Sequence, residues 1–231
     1  AFAAGVGTTD LEVGLLKGVC TFRKPETMKI ELNGELGTGV SPKDVILYLI
    51  NFLGVNGATD KVIEFVGPFI SNLPMYGRMT ICNMAVEAGA TTGICMPDKI
   101  TAKYLWKFIK DEHKDVDAAV ESFSKWHSDP SDKYAELLSL NGGNITPQTT
   151  DGYKPVLVRP ITEFEESPVD QIYIGLCTNG RIEDLRILAA EVKGKKKADS
   201  VTAWIVPGSK QVEEKAIKDG FDEILEEAGF K

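Results

Sequence analysis

Ile172-Tyr173-Ile174-Gly175-Leu176-Cys177-Thr178-Asn179-Gly180-Arg181 runs directly into Ile182-Glu183-Asp184-Leu185-Arg186-Ile187-Leu188-Ala189-Ala190. The first half reads as a buried strand and the second as an amphipathic helix, so Cys177, Thr178, Asn179, Gly180 and Arg181 fall on the loop between them. Such a loop carries backbone N–H groups that a helix leaves unpaired, and α/β folds place ligands there. A cysteine ahead of a helix N-terminus feels the positive end of the helix dipole, which favours a thiolate able to attack electrophiles or bind metal. The competing account of Cys177 is a small apolar residue packed beneath the loop.

Working outward, the spacing predicts a strand over 169–176, a loop at 177–181, a helix over 181–193, a strand over 200–206 and a helix over 210–219, then a last segment from Asp222 to Gly229. A right-handed crossover makes the two strands parallel and sets Cys177 at the carboxyl edge of their sheet. Leu185, Leu188, Ala189 and Val192 form the inward stripe of the helix, and Gly194 stops it.

Nearer the N-terminus, Met28-Lys29-Ile30-Glu31-Leu32 alternates as a half-exposed strand does, and Asn33-Gly34 signals a turn, so a strand and a reversal are expected. Ser41-Pro42-Lys43-Asp44 offers an N-cap, a proline at the first helical position and an acid in the first turn. Ile46, Leu49, Ile50 and Leu53 then recur at helical spacing until Gly54. Lys61 to Gly67 is β-rich, and Glu64 shares a face with Val62 and Val66. A carboxylate there is either a buried proton carrier or an edge residue turned to water. Pro74 to Gly89 reads as a helix burying Met79, Met84 and Val86 with Cys82 as core, and Ala90 to Met96 as a short strand. Two further helical segments follow at 104–109 and 118–123, with Trp106 and Trp126 as packing residues. His127-Ser128-Asp129-Pro130, Asn141-Gly142-Gly143-Asn144 and Thr149-Thr150-Asp151-Gly152 are loop chemistry, with one strand near Tyr134 to Leu140. The expected division is a tail of a preceding domain at 1–24, an α/β domain with Glu64 at 25–104, helices and an inter-domain crossing at 105–167, and a partial α/β domain with Cys177 at 168–231.

Composition narrows the function. The chain of 231 residues, 43% of them hydrophobic, can fill a real core. Its apolar runs fall well short of the roughly 18 residues of a membrane span, and no basic region precedes an apolar block, so a soluble, unexported protein is expected. A net charge of −8 repels nucleic acid and anionic membrane. Lys193 with Lys195, Lys196 and Lys197 reads as a solvated helix end. Cys20, Cys82, Cys95 and Cys177 are too few and too far apart for a secreted disulfide framework, which points to a reducing compartment. With His113 and His127 as the only histidines, the chain cannot by itself build a typical His-rich zinc site or an obvious Ser-His-Asp triad.

Gly5-Val6-Gly7-Thr8-Thr9-Asp10, Ser41-Pro42-Lys43-Asp44-Val45-Ile46-Leu47, Val62-Ile63-Glu64-Phe65-Val66-Gly67, Gly77-Arg78-Met79-Thr80-Ile81-Cys82-Asn83-Met84 and Ile174-Gly175-Leu176-Cys177-Thr178-Asn179-Gly180-Arg181 stand in the order seen in the aconitase superfamily. The sequence resembles most the large-subunit branch of that superfamily that holds 3-isopropylmalate dehydratase and archaeal homoaconitase. The likeness is good over 1 to about 104 and 168 to 231, and poor between about 138 and 165.

The resemblance implies three-layer α/β/α domains with mostly parallel sheets. It implies a 4Fe–4S hydro-lyase that isomerises 2- or 3-hydroxy acids by dehydration and rehydration, in leucine or related 2-oxoacid biosynthesis, in the cytoplasm. By the same likeness Cys177 matches the first cluster ligand, and Glu64 matches the acid that hydrogen-bonds the water or hydroxyl on the open iron and shuttles a proton. A separate small subunit is the implied partner and a small hydroxy acid the substrate, with no nucleic acid and no membrane. The family's Cys-x-x-Cys pair follows a Gly-Phe like Gly229-Phe230, and its Asp-Ser-His segment precedes the counterpart of Ala1; neither is among these residues. The expectation is therefore an internal piece of a large subunit, holding no cluster and inactive alone. The alternative is a cluster-free RNA- or anion-binding α/β module that holds phosphate at the Asn179-Gly180 loop.

Overall fold

A computed structural model describes residues 2–3, 6–21, 24–129, 131–150, 152 and 157–231. Ala1, Ala4 and Gly5 at the N-terminal motif, Pro130 and Asp151 lie outside the described residues. The chain divides into two units, Ala1–Phe164 and Glu165–Lys231.

In the first unit the order is β1 (Phe2–Ala3), α1 (Thr8–Lys17), β2 (Glu26–Asn33), α2 (Pro42–Leu53), β3 (Lys61–Val66), α3 (Pro68–Asn72), α4 (Met75–Met84), β4 (Thr92–Cys95), α5 (Lys99–Ile109), α6 (Val116–Phe123), β5 (Glu136–Asn141), β6 (Gln148–Thr150) and β7 (Val158–Pro160). The helix signal at Ser41 is realised as a capping box: Ser41 N–H donates to Asp44 Oδ2 at 2.7 Å, and Asp44 N–H to Ser41 Oγ at 3.4 Å. From there Val45, Ile46, Leu49 and Ile50 of α2 pack on Met28, Ile30 and Leu32 of β2 and on Ile63 and Phe65 of β3. Each such side chain contributes roughly 1.5–3 kcal/mol by leaving water.

The five-stranded sheet runs β1-β4-β3-β2-β5, with β1 antiparallel to β4 and the other pairs parallel. The chain steps outward from β2 through β3 to β4 and then returns to the far side of β2 as β5. Asn33-Gly34 therefore opens a crossover and not a hairpin reversal, since both neighbours of β2 are parallel to it and parallel strands cannot be joined by a tight turn. Of the helices and inter-domain crossing expected over 105–167, the residues up to Phe164 belong to the first unit; the strand near Tyr134 is β5, paired with β2 from Met28↔Glu136 to Asn33↔Asn141. Two packing expectations are corrected. Val86 is exposed because α4 tightens into a 3₁₀ turn at Ala85–Ala88, which rotates it off the apolar stripe. Trp126 ends another 3₁₀ turn, Ser124–Trp126, and lies at the surface with the Lys125 ammonium 5.3 Å from its ring centroid.

In the second unit β8 (Gln171–Gly175), α7 (Ile182–Val192), β9 (Thr202–Val206), α8 (Lys210–Lys218) and α9 (Phe221–Glu227) follow one another, and β8 pairs parallel with β9. Leu185, Ala189, Ala203, Ala216, Leu225 and Ala228 are its buried apolar residues. The strand read as buried is only half so: Tyr173 is exposed while Ile172 and Ile174 are partly covered. A two-stranded sheet has too little surface to be sealed on both faces by these helices. No helix among the described residues is long and apolar enough to cross a membrane.

Candidate functional site

Alternation along β3 sends Ile63 and Phe65 into the apolar core and Glu64 to the opposite face of the sheet. β3 lies inside the sheet, with Lys29 of β2 and Ile94 of β4 beside Glu64 in register, so Glu64 is no edge residue turned to water. Its relative exposure is 5%. The Ser128 hydroxyl donates to Glu64 Oε2 at 2.9 Å. Ser128 is positioned in turn by its neighbour: His127 Nε2–H donates to the carbonyl of Pro97 at 2.8 Å, which fixes the ring proton on Nε2 because a carbonyl only accepts. Among the described residues no Lys or Arg lies within ion-pair distance of Glu64. Glu64 is thus a carboxylate kept from bulk water and oriented by one described hydroxyl donor.

Sequence reasoning assigned Arg78 no role, yet it is the largest fully buried side chain, 1% exposed. Its Nε donates to the Leu73 carbonyl at 2.9 Å, Nη2 to the Ser71 carbonyl at 3.1 Å and to Asp98 Oδ2 at 2.6 Å, and Nη1 to Thr101 Oγ1 at 3.5 Å. The other carboxylate oxygen of Asp98 caps α5, accepting from the N–H groups of Ile100 at 2.9 Å and Thr101 at 3.1 Å. Burial alone pushes the Asp98 carboxyl up; the Arg78 hydrogen bond and the two helix N–H donors outweigh it and hold it below the usual range. Arg78 thus ties the turn after α3 to the start of α5, and Pro97, the anchor of His127, lies immediately before Asp98. The available signal was a lone cation three residues from Met75 and from Ile81 on the apolar stripe of α4.

The Cys177 loop is shaped by two residues at positive φ, Gly175 at 135° and Leu176 at 112°. A Cβ at Gly175 would overlap the Val206 carbonyl of β9, so this position accepts no side chain. Leu176 is a non-glycine residue held where L side chains are strained, a conformation that clusters at functional sites. Beyond this double turn Cys177 is exposed, which rules out the apolar residue packed beneath the loop. Asp184 of α7 closes the loop from the other side. Its Oδ2 accepts from Gly180 N at 2.9 Å, Arg181 N at 2.9 Å and Asn179 Nδ2 at 3.4 Å, while Gly208 N donates to the Gly180 carbonyl at 2.7 Å. The Gly180 and Arg181 N–H groups, on which a phosphate at Asn179-Gly180 would draw, already serve the chain's own carboxylate, which weighs against the anion-binding alternative.

Glu64 belongs to the first unit and Cys177 to the second. Among the described residues no three His, Cys, Asp or Glu side chains gather as a metal site.

A mostly parallel α/β chain with a buried acid inside one sheet and an exposed thiol on a strand-to-helix loop is the frame, and the comparison with known families agrees with it. The model of the aconitase family (aconitate hydratase) matches residues 1–231, and the chain belongs to that family. It is 55% identical over 230 residues to the 3-isopropylmalate dehydratase large subunit of Geobacter metallireducens, covering 100% of this chain and 54% of that protein. The protein of the same name from Geobacter sulfurreducens is 53% identical over 230 residues, with the same shares covered. That from Thermodesulfovibrio yellowstonii is 41% identical over 228 residues, covering 99% of this chain and 52% of the relative. The chain spans about half the length of the curated relatives it matches.

Proposed function

We propose that this chain forms part of the large subunit of an iron–sulfur hydro-lyase that isomerises a small hydroxy acid, of 3-isopropylmalate or homocitrate type, by dehydration and rehydration. The observation that carries the reading is Glu64: a 5%-exposed carboxylate inside the parallel sheet, held by Ser128 and by no described cation. In this role Glu64 takes a proton on a carboxylate oxygen in one direction and returns it in the other, while Ser128 keeps the carboxylate in one orientation. A separate small subunit is the proposed partner, and the cytoplasm the proposed location.

A four-iron cluster is held by several cysteine thiolates. The loop offers one, Cys177; Cys20, Cys82 and Cys95 lie in the first unit, the last two buried. Among the described residues no three such donors gather, and Cys177 is proposed as one ligand of a set completed by other residues of the whole protein. In the full-length protein, anaerobically reconstituted with iron and sulfide, Cys177→Ser is expected to lose bound iron and the visible charge-transfer absorption. Full iron content in that variant would remove Cys177 from the ligand set.

The direct test of the activity adds the small subunit and follows dehydration of 3-isopropylmalate or homocitrate by absorbance of the new double bond. A protein with its cluster intact and no turnover of either acid would overturn the assignment. Ser128→Ala is expected to lower kcat severalfold with KM nearly unchanged, because it loosens the acid without touching substrate. Ser128→Thr, which keeps the hydroxyl, should restore it. Equal losses in both variants would mean that Ser128 acts only through packing.

A further inference from the structure

Cys82 and Cys95 take no part in the proposed chemistry, yet their sulfurs lie 3.5 Å apart in the interior, at 0% and 1% exposure. The approach is built by the backbone. A Cβ placed on Gly93 would lie 2.7 Å from the Cα of Cys82 and 3.0 Å from its carbonyl oxygen, so α4 sits on β4 more closely than any side chain at that position permits. Cys95 is two residues further along β4 and shares the face of Gly93. The helix residue seated on the glycine therefore reaches its strand neighbour with its sulfur. A disulfide needs close backbones and a sulfur separation of about 2.05 Å, roughly 1.5 Å less than the present approach.

We propose that Cys82 and Cys95 are a redox-modification site, a dithiol that closes to an intramolecular disulfide when the protein meets hydrogen peroxide. The inference is independent of the hydro-lyase reading. We take Cys95 as the attacking thiol: the hydrogen bond with Cys82 lowers its pKa against the upward push of burial. The same contact, with burial, pushes the Cys82 thiol up. The Cys95 sulfur attacks one peroxide oxygen as its thiol proton passes to the other; the S–O bond forms, the O–O bond breaks, and the leaving hydroxide departs with that proton as water. The Cys82 sulfur then attacks the sulfenic acid; the S–S bond forms, the S–O bond breaks, and hydroxide leaves with the Cys82 proton as a second water. Two thiols are oxidised and one peroxide is reduced to two waters. Peroxide is small and neutral, and reaching the buried pair requires α4 to open locally from β4.

The test uses the full chain. Iodoacetamide under native conditions caps the exposed Cys20 and Cys177 and spares the buried pair. Peroxide is then applied and removed with catalase, and the chain is denatured, labelled with N-ethylmaleimide and digested with trypsin. Arg78 and Lys99 bound a single peptide, Met79 to Lys99, that contains both cysteines. The expected result is that this peptide changes from doubly labelled to unlabelled, lacks two hydrogens, and regains both labels after dithiothreitol. A peptide that stays doubly labelled at peroxide doses that oxidise a free dithiol would overturn the proposal, as would sulfinic or sulfonic acid on either cysteine. In Cys95→Ser, Cys82 should keep its label; its oxidation at the wild-type rate would also overturn the pair. Because the readout is made on the unsubstituted chain, it stands even if that variant folds poorly.

Discussion

Glu64→Gln in the full-length protein, assembled with the proposed small subunit and iron–sulfur cluster, is expected to lower kcat by about 10²–10⁴-fold, the range that general acid–base catalysis supplies. Glutamine keeps the shape of the side chain, and its amide oxygen still accepts the Ser128 hydroxyl. What it loses is the capacity to gain and give up a proton. Iron content and Tm should therefore match the parent protein while turnover collapses, and KM should move little. If Glu64 were only a packing residue on the covered face of β3, the isosteric change would leave kcat within a factor of a few. That outcome, with the cluster verified by absorbance, would remove Glu64 from the chemistry.

Arg78→Ala is expected to destabilise the first unit by about 3–5 kcal/mol, the usual loss when a buried charged network is broken. The change strands the carbonyls of Leu73 and Ser71, deprives Asp98 of its cation and leaves a cavity where the guanidinium lay. Urea unfolding monitored by circular dichroism, with m unchanged, measures it. The Arg78–Asp98 pair itself accounts for the smaller share, since the Asp98 side chain is 36% exposed and water screens the attraction. Its signature is pH. Asp98 has a depressed folded-state pKa, so its stabilisation is present above the unfolded carboxylate value of about 3.9 and is lost as pH falls through the folded value. Asp98→Asn should thus cost stability at neutral pH, and the difference from the parent chain should shrink below about pH 4. A difference that grows in acid would contradict the ion pair as its cause.

Much of the fold was legible because its signals are local. A capping box spans three residues, an apolar stripe repeats within one helix, and a strand between turn residues announces itself within a few positions. Ser41 and Asp44 are an example: the pair predicts the start of α2, and the structure places both hydrogen bonds there. Glu64 was open to reading as a buried acid or an edge residue because alternation gives the face of a strand but not the strand's place in its sheet. That place came from β2 and β4 pairing on either side. Val86 and Trp126 were misread because the helical period was extended through residues that wind as 3₁₀ turns.

By itself the sequence determined the alternation of strands and helices, the loop that carries Cys177 and, through ordered motifs, the family. Tertiary structure alone decided that β5 returns beside β2, that Ser128 reaches Glu64 across 64 positions, that Arg78 joins Asp98 across 20, and that Cys82 meets Cys95 over Gly93. The physical reason is the same in each case. Propensity, capping and periodicity act within a turn or two of chain, whereas strand order and buried polar pairing are settled by which surfaces can be covered and which polar atoms satisfied once the whole chain has packed.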